Sequence, residues 1–150
     1  MARINLRIRP AQSEDKAAIC SLLLEFELPL EGLESSRIWV LQDSGGSIVG
    51  TASLEKCGKQ GLLRSAAINK NMQKRGNGTA LVKFVIAEAR KNEMKEIYLL
   101  TITKSQLFYQ KLGFEECNRE RLIGSITTSA EFKGACPKTA TLMDLDITKN

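Results

Sequence analysis

Apolar and polar positions along this chain follow two periods, and the switches between them mark the elements. Ile4, Leu6 and Ile8 alternate with Asn5, Arg7 and Arg9, which predicts a half-exposed strand that stops at Pro10. Ala18, Ile19, Leu22, Leu23 and Phe26 then recur at helical spacing, with Ser13 as the expected N-cap and Glu14 and Asp15 in the first turn. Pro29 ends that helix, and residues 28–35 read as a loop or a short second helix. Period two returns over residues 37–42 and 47–55, joined by the turn Asp43-Ser44-Gly45-Gly46. A further turn at 56–60 leads into an apolar strand over 62–68. Residues 79–92 are amphipathic: Leu81, Val85 and Ala89 form one stripe, widened by Val82 and Ile86, while Lys83, Glu88, Arg90 and Lys91 lie mostly outside it. Residues 96–103 read as a strand and 106–112 as a helix ended by Gly113. The remainder, to residue 147, supplies two more strands around a short helical piece near 130–135.

The hairpins imply antiparallel pairing, and the two crossovers that flank residues 96–103 imply a parallel portion. The expected fold is α/β (α+β): a mixed, mostly antiparallel twisted sheet of six to seven strands with helices on both faces. At 150 residues the chain makes one domain, residues 1–150, able to bury roughly two-thirds of its unfolded surface.

The junction of the strand 62–68 with the helix that follows is the most informative stretch. Gln73-Lys74-Arg75-Gly76-Asn77-Gly78 is a basic, glycine-containing loop that runs into a first helical turn at Thr79. Unpaired backbone N–H groups and the positive helix end point outward together there, an arrangement suited to an anion. Gly76 and Gly78 allow close backbone approach, although a plain strand-to-helix turn also uses glycine. The loop reads as a clamp for a diphosphate.

Charge agrees with that reading without deciding it. The net charge of +5 and pI near 9.1 favour a polyanionic ligand, but an ordinary solvated basic surface has the same balance. The four cysteines, Cys20, Cys57, Cys117 and Cys136, contain no C-x-x-C pair, and the chain has no histidine, so no metal is expected. Reduced thiols and the lack of any continuous apolar stretch in residues 1–9 predict a cytoplasmic protein with no membrane association. Without histidine, Ser-His-Asp and Cys-His catalysis are excluded. Acid–base work falls to Tyr, Glu, Asp, Cys, Lys or water.

Two motifs together resemble the GNAT superfamily of acetyl-CoA-dependent N-acetyltransferases. Gln73, Gly76 and Gly78 match its phosphate loop, [RQ]-x-x-G-x-[GA], and Phe108-Tyr109-Gln110-Lys111-Leu112-Gly113-Phe114 matches its aromatic pair before a Gly-Phe turn. The likeness covers nearly the whole chain. A narrower likeness, carried by Leu63-Arg64-Ser65, Tyr98-Leu99-Leu100-Thr101, Ala130-Glu131-Phe132 and Cys136-Pro137, is to an arsenic-resistance-associated branch close to N-acetylglutamate synthase-like proteins. One departure stands out: many members carry asparagine at the position of Ile102, which is flanked here by Thr101 and Thr103.

The resemblance implies acetyl-CoA as co-substrate, held by Gln73, Lys74, Arg75, Gly76, Asn77, Gly78 and Thr79, with backbone of Ala67 and Ile68 at a splayed strand end for the pantetheine amides. It implies Tyr109 as general acid: a tyrosine titrates near ~10, above a thiol at about 8.5, and can protonate a departing thiolate. Tyr109 packing at the core edge is the competing account. Glu55 is the first candidate for the base and Glu27, in the loop after the first helix, the second; for each carboxylate taken alone, a solvated surface residue is the simpler account. Arg64 either faces the cleft, where it can hold a substrate carboxylate, or faces outward; its strand's alternation leaves both open. Residues 127–139 are a candidate acceptor wall. Cys57 and Cys136 either bring thiols near a metalloid-containing substrate or are structural.

The leading function is therefore transfer of an acetyl group to the amine of a small molecule, an amino acid or amino-acid-like toxin, by direct attack in a ternary complex. A non-catalytic acyl-CoA-binding module and a protein N-acetyltransferase are the alternatives. Nucleic acid fits poorly, because no aromatic side chain is interleaved with Lys74 and Arg75. The expected assembly is a monomer or homodimer.

Overall fold

Both hairpin signals fold as turns in the computed structural model, which describes residues 6–28, 30, 33–73, 76–102, 105–118 and 140–148. Asp43 Oδ1 accepts hydrogen bonds from the backbone N–H groups of Gly45 at 3.0 Å and Ser47 at 2.9 Å, joining β2 (Arg37–Gln42) to β3 (Ile48–Cys57). A two-residue turn with Gly58 at a φ of 65° joins β3 to β4 (Gln60–Ile68). β1 (Arg7–Pro10) pairs antiparallel with β2. β5 (Glu96–Thr101) runs parallel to β4, β7 (Thr141–Asp146) antiparallel to β5, and the two-residue β6 (Glu115–Glu116) antiparallel to β7. The sheet is thus mixed and mostly antiparallel, with seven strands in the order β1-β2-β3-β4-β5-β7-β6.

Helices cover both faces, as the side-chain alternation of β2 demonstrates. Adjacent residues of a strand point to opposite faces. Val40 packs with Ile19, Leu22 and Leu23 of α1 (Lys16–Glu25) and with Ala67. Trp39 packs instead with Leu81, Val82, Val85, Ile86 and Ala89 of α2 (Asn77–Lys91). The stripe expected on that helix is the stripe it buries, each large apolar side chain contributing about 1.5–3 kcal/mol over its exposed state. α3 (Gln106–Lys111) joins the same layer through Phe108 and Tyr109.

The first helix begins differently from the expectation. Residues Ser13–Asp15 form a 3-10 turn before α1, and Ser13 and Ala18 are exposed. Asp15, not Ser13, stands at the N-cap position of α1 and makes no side-chain hydrogen bond into that helix; its Oδ2 accepts from the Gln12 N–H at 2.7 Å, closing the 3-10 turn, and Arg9 donates to its two oxygens at 2.8 and 3.0 Å. A carboxylate accepts from several donors where a hydroxyl accepts from fewer, so the acidic residue fills the buried position. α1 ends at Glu25, earlier than Pro29 requires; Glu27 adopts a left-handed φ of 55°, and the Leu28 N–H returns to the Leu23 carbonyl at 2.9 Å. A 3-10 turn, Leu33–Ser35, precedes β2. α2 starts two residues before residue 79 and β5 stops two residues before 103. Ile4, Pro29 and the helical piece near 130–135 lie outside the described residues.

Arg9 and Asp15 tie β1 to the entry of α1, and this pair sets an acid limit. The Arg9 hydrogen bond is the largest cause holding the Asp15 carboxyl below its ordinary range. The folded state therefore binds that proton less tightly than the unfolded state, and the stabilisation is present above a pH of about 4 and lost as pH falls below it. Asp15→Asn, which removes the charge from the pair with Arg9, is expected to cost about 1 kcal/mol at neutral pH. In urea titrations the difference from the native protein should shrink below a pH of about 4; an equal difference at pH 3 and pH 7 would refute the assignment.

Candidate active site

The parallel pair β4–β5 opens partway along its length. Its register runs Gln60↔Glu96, Gly61↔Ile97 and Leu62↔Tyr98, then stops. β4 continues to Ile68 against β3, while β5 continues to Thr101 against β7. A bulge accompanies the parting: Ser53 pairs with Arg64 but Thr51 with Ala67, so Ser65 and Ala66 together oppose Ala52. A bulge bends its strand and sharpens its twist. Ser65 sits in it with a left-handed φ of 58°, a conformation that strains a residue bearing a side chain.

The predicted anion loop stands at the far end of the β4 arm. Gln73 Nε2 donates to the Ile68 carbonyl at 2.8 Å, and Asn77 Nδ2 donates to the Met72 carbonyl at 2.8 Å. These side chains shape the loop, leaving its backbone for a ligand. Gly76 is the N-cap of α2, at a φ of 80°, and no side chain caps the helix, so N–H groups of the first turn remain available to an anion. The two glycines have different reasons. Gly76 has open space around it and needs its left-handed backbone; Gly78 faces Phe108, whose ring would lie 3.4 Å from an added Cβ. That close approach seats α3 against α2. Thr79 is half-buried in the first turn, and Lys74 and Arg75 lie outside the described residues.

A polar stripe occupies the opposite face of the sheet. Thr51, Ser53, Glu55 and Cys57 alternate along β3, and the pairing of Thr51 with Val40 places them on the α1 face. Arg64, opposite Ser53, joins them: its side chain is 0% exposed, and Nη1 lies 3.7 Å from Glu55 Oε1. Ser53 Oγ donates to the Arg64 carbonyl at 2.9 Å, and Thr51 Oγ1 to the Trp39 carbonyl at 3.1 Å. Cys57 Sγ lies 4.0 Å from Glu55 Oε2. Leu62, Tyr98 and Leu142 continue the buried floor beside Cys57.

Of the candidates for chemistry, Glu55 and Arg64 are brought together. Tyr109 lies on the other face, half-buried, with its ring edge-on to Phe108 at 4.9 Å and to Phe114 at 5.8 Å between centroids. No described contact joins it to Glu55, and Glu27 is an exposed residue on the turn after α1. Ile102 is exposed just past β5, where Thr101 Oγ1 donates to its carbonyl at 3.4 Å; Thr103, Cys136 and the segment 127–139 lie outside the described residues. Sequence reasoning missed Thr51, Ser53 and Ser65. The signal for the first two is a polar residue at every second position of a strand otherwise built from Val, Ala and Leu; Ser65 leaves no such signal. Among the described residues no group of three or more Cys, Asp or Glu side chains is placed to hold a metal, and no helix is long and apolar enough to cross a membrane.

Solved structures share this fold across nearly the whole chain. An acetyltransferase of the GNAT family from Staphylococcus aureus is 21% identical, with a TM-score of 0.78 over 95% of this chain and 99% of that one. A Mycobacterium tuberculosis protein solved in complex with CoA is 23% identical, with a TM-score of 0.78 over 93% of this chain and 98% of that one. N-acetylglutamate synthase from Neisseria gonorrhoeae, complexed with coenzyme A and N-acetyl-glutamate, is 21% identical with a TM-score of 0.79; the match covers 97% of this chain and 36% of the longer enzyme. Residues 34–116, more than half of the chain, match the family model of the GNAT acetyltransferase domain, and the chain belongs to that family.

Proposed function

We propose that the protein transfers the acetyl group of acetyl-CoA to the amine of a small amino acid or amino-acid-like molecule, by direct attack within a ternary complex. The observation that carries this reading is Arg64, a guanidinium enclosed in the sheet on the face away from α2 and α3, with Glu55 beside it. A substrate carboxylate gripped there would leave its α-amine near the opening between β4 and β5. N-acetylglutamate synthase, among the structural neighbours, was solved with coenzyme A and N-acetyl-glutamate, which supports an acceptor of this kind.

In this reading the amides of Gln73 through Thr79 hold the diphosphate, assisted by the charges of Lys74 and Arg75, and the pantetheine arm follows the edge of β4 that has parted from β5, past Ile68 and Ala67. Backbone N–H groups near the bulge polarise the thioester carbonyl. Glu55 accepts the amine proton directly or through a water. The demand on it is small, because an α-amine with a pKa near 8 is roughly 10% neutral at pH 7. Attack gives a tetrahedral intermediate; its collapse releases the thiolate, which Tyr109 protonates from the α3 side.

Carboxylate recognition is tested by pairing each amino acid with its decarboxylated amine as acceptor. The amino acids should be favoured about 10- to 100-fold in kcat/KM, the range of a bidentate charge-assisted pair, and Arg64→Lys should remove most of that preference while leaving the KM for acetyl-CoA unchanged. Equal rates for the two series would refute Arg64 as the clamp.

The proton path has its own signature. Tyr109→Phe should lower kcat about 10- to 100-fold. Glu55→Gln should lose about 10-fold in kcat/KM at pH 7 and recover by pH 9, where about 90% of an α-amine is already neutral. A loss at Glu55 that persists unchanged at pH 9 would mark it as a support for Arg64 instead of a base.

A further inference from the structure

Ser65 combines two costs that the chain's folding does not explain. The residue is 7% exposed, and its Oγ is fully enclosed with no hydrogen-bond partner among the described residues. Enclosing a hydroxyl without a partner is unfavourable. Its φ of 58° adds backbone strain that glycine at the same position would not carry. Both costs fall in one residue of the bulge, three residues beyond Leu62, the last residue of β4 that pairs with β5.

Strain and an unanswered donor at one point of an opening indicate a group completed by a ligand. About 10 Å of extended strand separates Ser65 from Ile68, whose carbonyl is bonded by Gln73 of the anion loop. A coenzyme anchored at that loop and laid along β4 presents its acyl end toward the bulge. The thioester carbonyl is an acceptor with no proton of its own, the complement of a hydroxyl donor.

We infer that the Ser65 hydroxyl donates a hydrogen bond to the carbonyl oxygen of the acetyl thioester and so distinguishes acetyl-CoA from free CoA. This rests on the proposed placement of the coenzyme along β4. As the carbonyl becomes an oxyanion during attack, the same donor strengthens.

Binding of acetyl-CoA and of free CoA to the full chain, measured by calorimetry without any acceptor, tests the inference. Ser65→Ala and Ser65→Gly should each bind acetyl-CoA about 3- to 10-fold more weakly, the range of one neutral hydrogen bond, with CoA affinity unchanged. Ser65→Gly should melt at or above the native temperature, because it relieves the strain while removing the donor. Unchanged acetyl-CoA affinity in both variants overturns the inference, as does an equal loss for both ligands, which would mark a general role in shaping β4. A native protein that binds neither ligand overturns the coenzyme placement itself.

Discussion

The parting of β4 from β5 is the constraint on which the rest of this structure depends. A sheet is stable because its ladder is continuous, and a gap in the middle leaves backbone groups that must find partners elsewhere. Here each strand keeps one neighbour after they separate: β4 stays with β3 to Ile68 and β5 with β7 to Thr101. The long, uninterrupted register of β5 with β7, from Glu96↔Asp146 to Thr101↔Thr141, is what allows β5 to lose β4. Phe108 against Gly78 and Tyr109 against Phe114 pack the α2–α3 layer on one face of that sheet.

This opening also resolves an apparent contradiction in the candidate chemistry. Glu55 and Arg64 belong to the α1 face, whereas Tyr109 packs with the core under α2. In an unbroken sheet these groups could not serve one reaction. With the ladder interrupted, the proposed mechanism has an acyl group between the strands reachable from both faces: an amine from the Arg64 side, a proton donor from the α3 side. The sheet then acts as a partition that separates the acceptor's chemistry from the leaving group's.

Much of the framework was legible because its signals are local. The stripe Leu81, Val82, Val85, Ile86 and Ala89 is set by helical period alone, and Asp43 and Gly58 announce their turns by their own turn chemistry. The turn that starts α2 was legible for the same reason, since Gly76 needs its φ of 80° whatever surrounds it. What was not legible depends on tertiary placement. β7 enters between β5 and β6 although β6 comes first in the chain, a choice that no local pattern encodes. Asp15, not Ser13, is the buried acidic residue at the entry of α1 because Arg9, on β1, meets it. The direction of Arg64 was undecidable because the bulge breaks the alternation that would have predicted it: Arg64 and Ala67, three residues apart, share a face.

The same distinction separates the two halves of the site. The donor half is made largely of backbone: a helix terminus without a side-chain cap, a glycine in the left-handed region, and an unpaired strand arm. Such parts tolerate varied side chains provided the chain path is kept, and they accompany a sheet architecture shared with proteins only 21–23% identical. The acceptor half is made of side chains on a fixed sheet, Thr51, Ser53, Glu55 and Arg64, which can change without moving the strands that carry them. A fold of this kind holds its coenzyme constant while its acceptor varies. In the proposed reading the buried guanidinium of Arg64, more than any feature of the loop before α2, sets the identity of the acceptor.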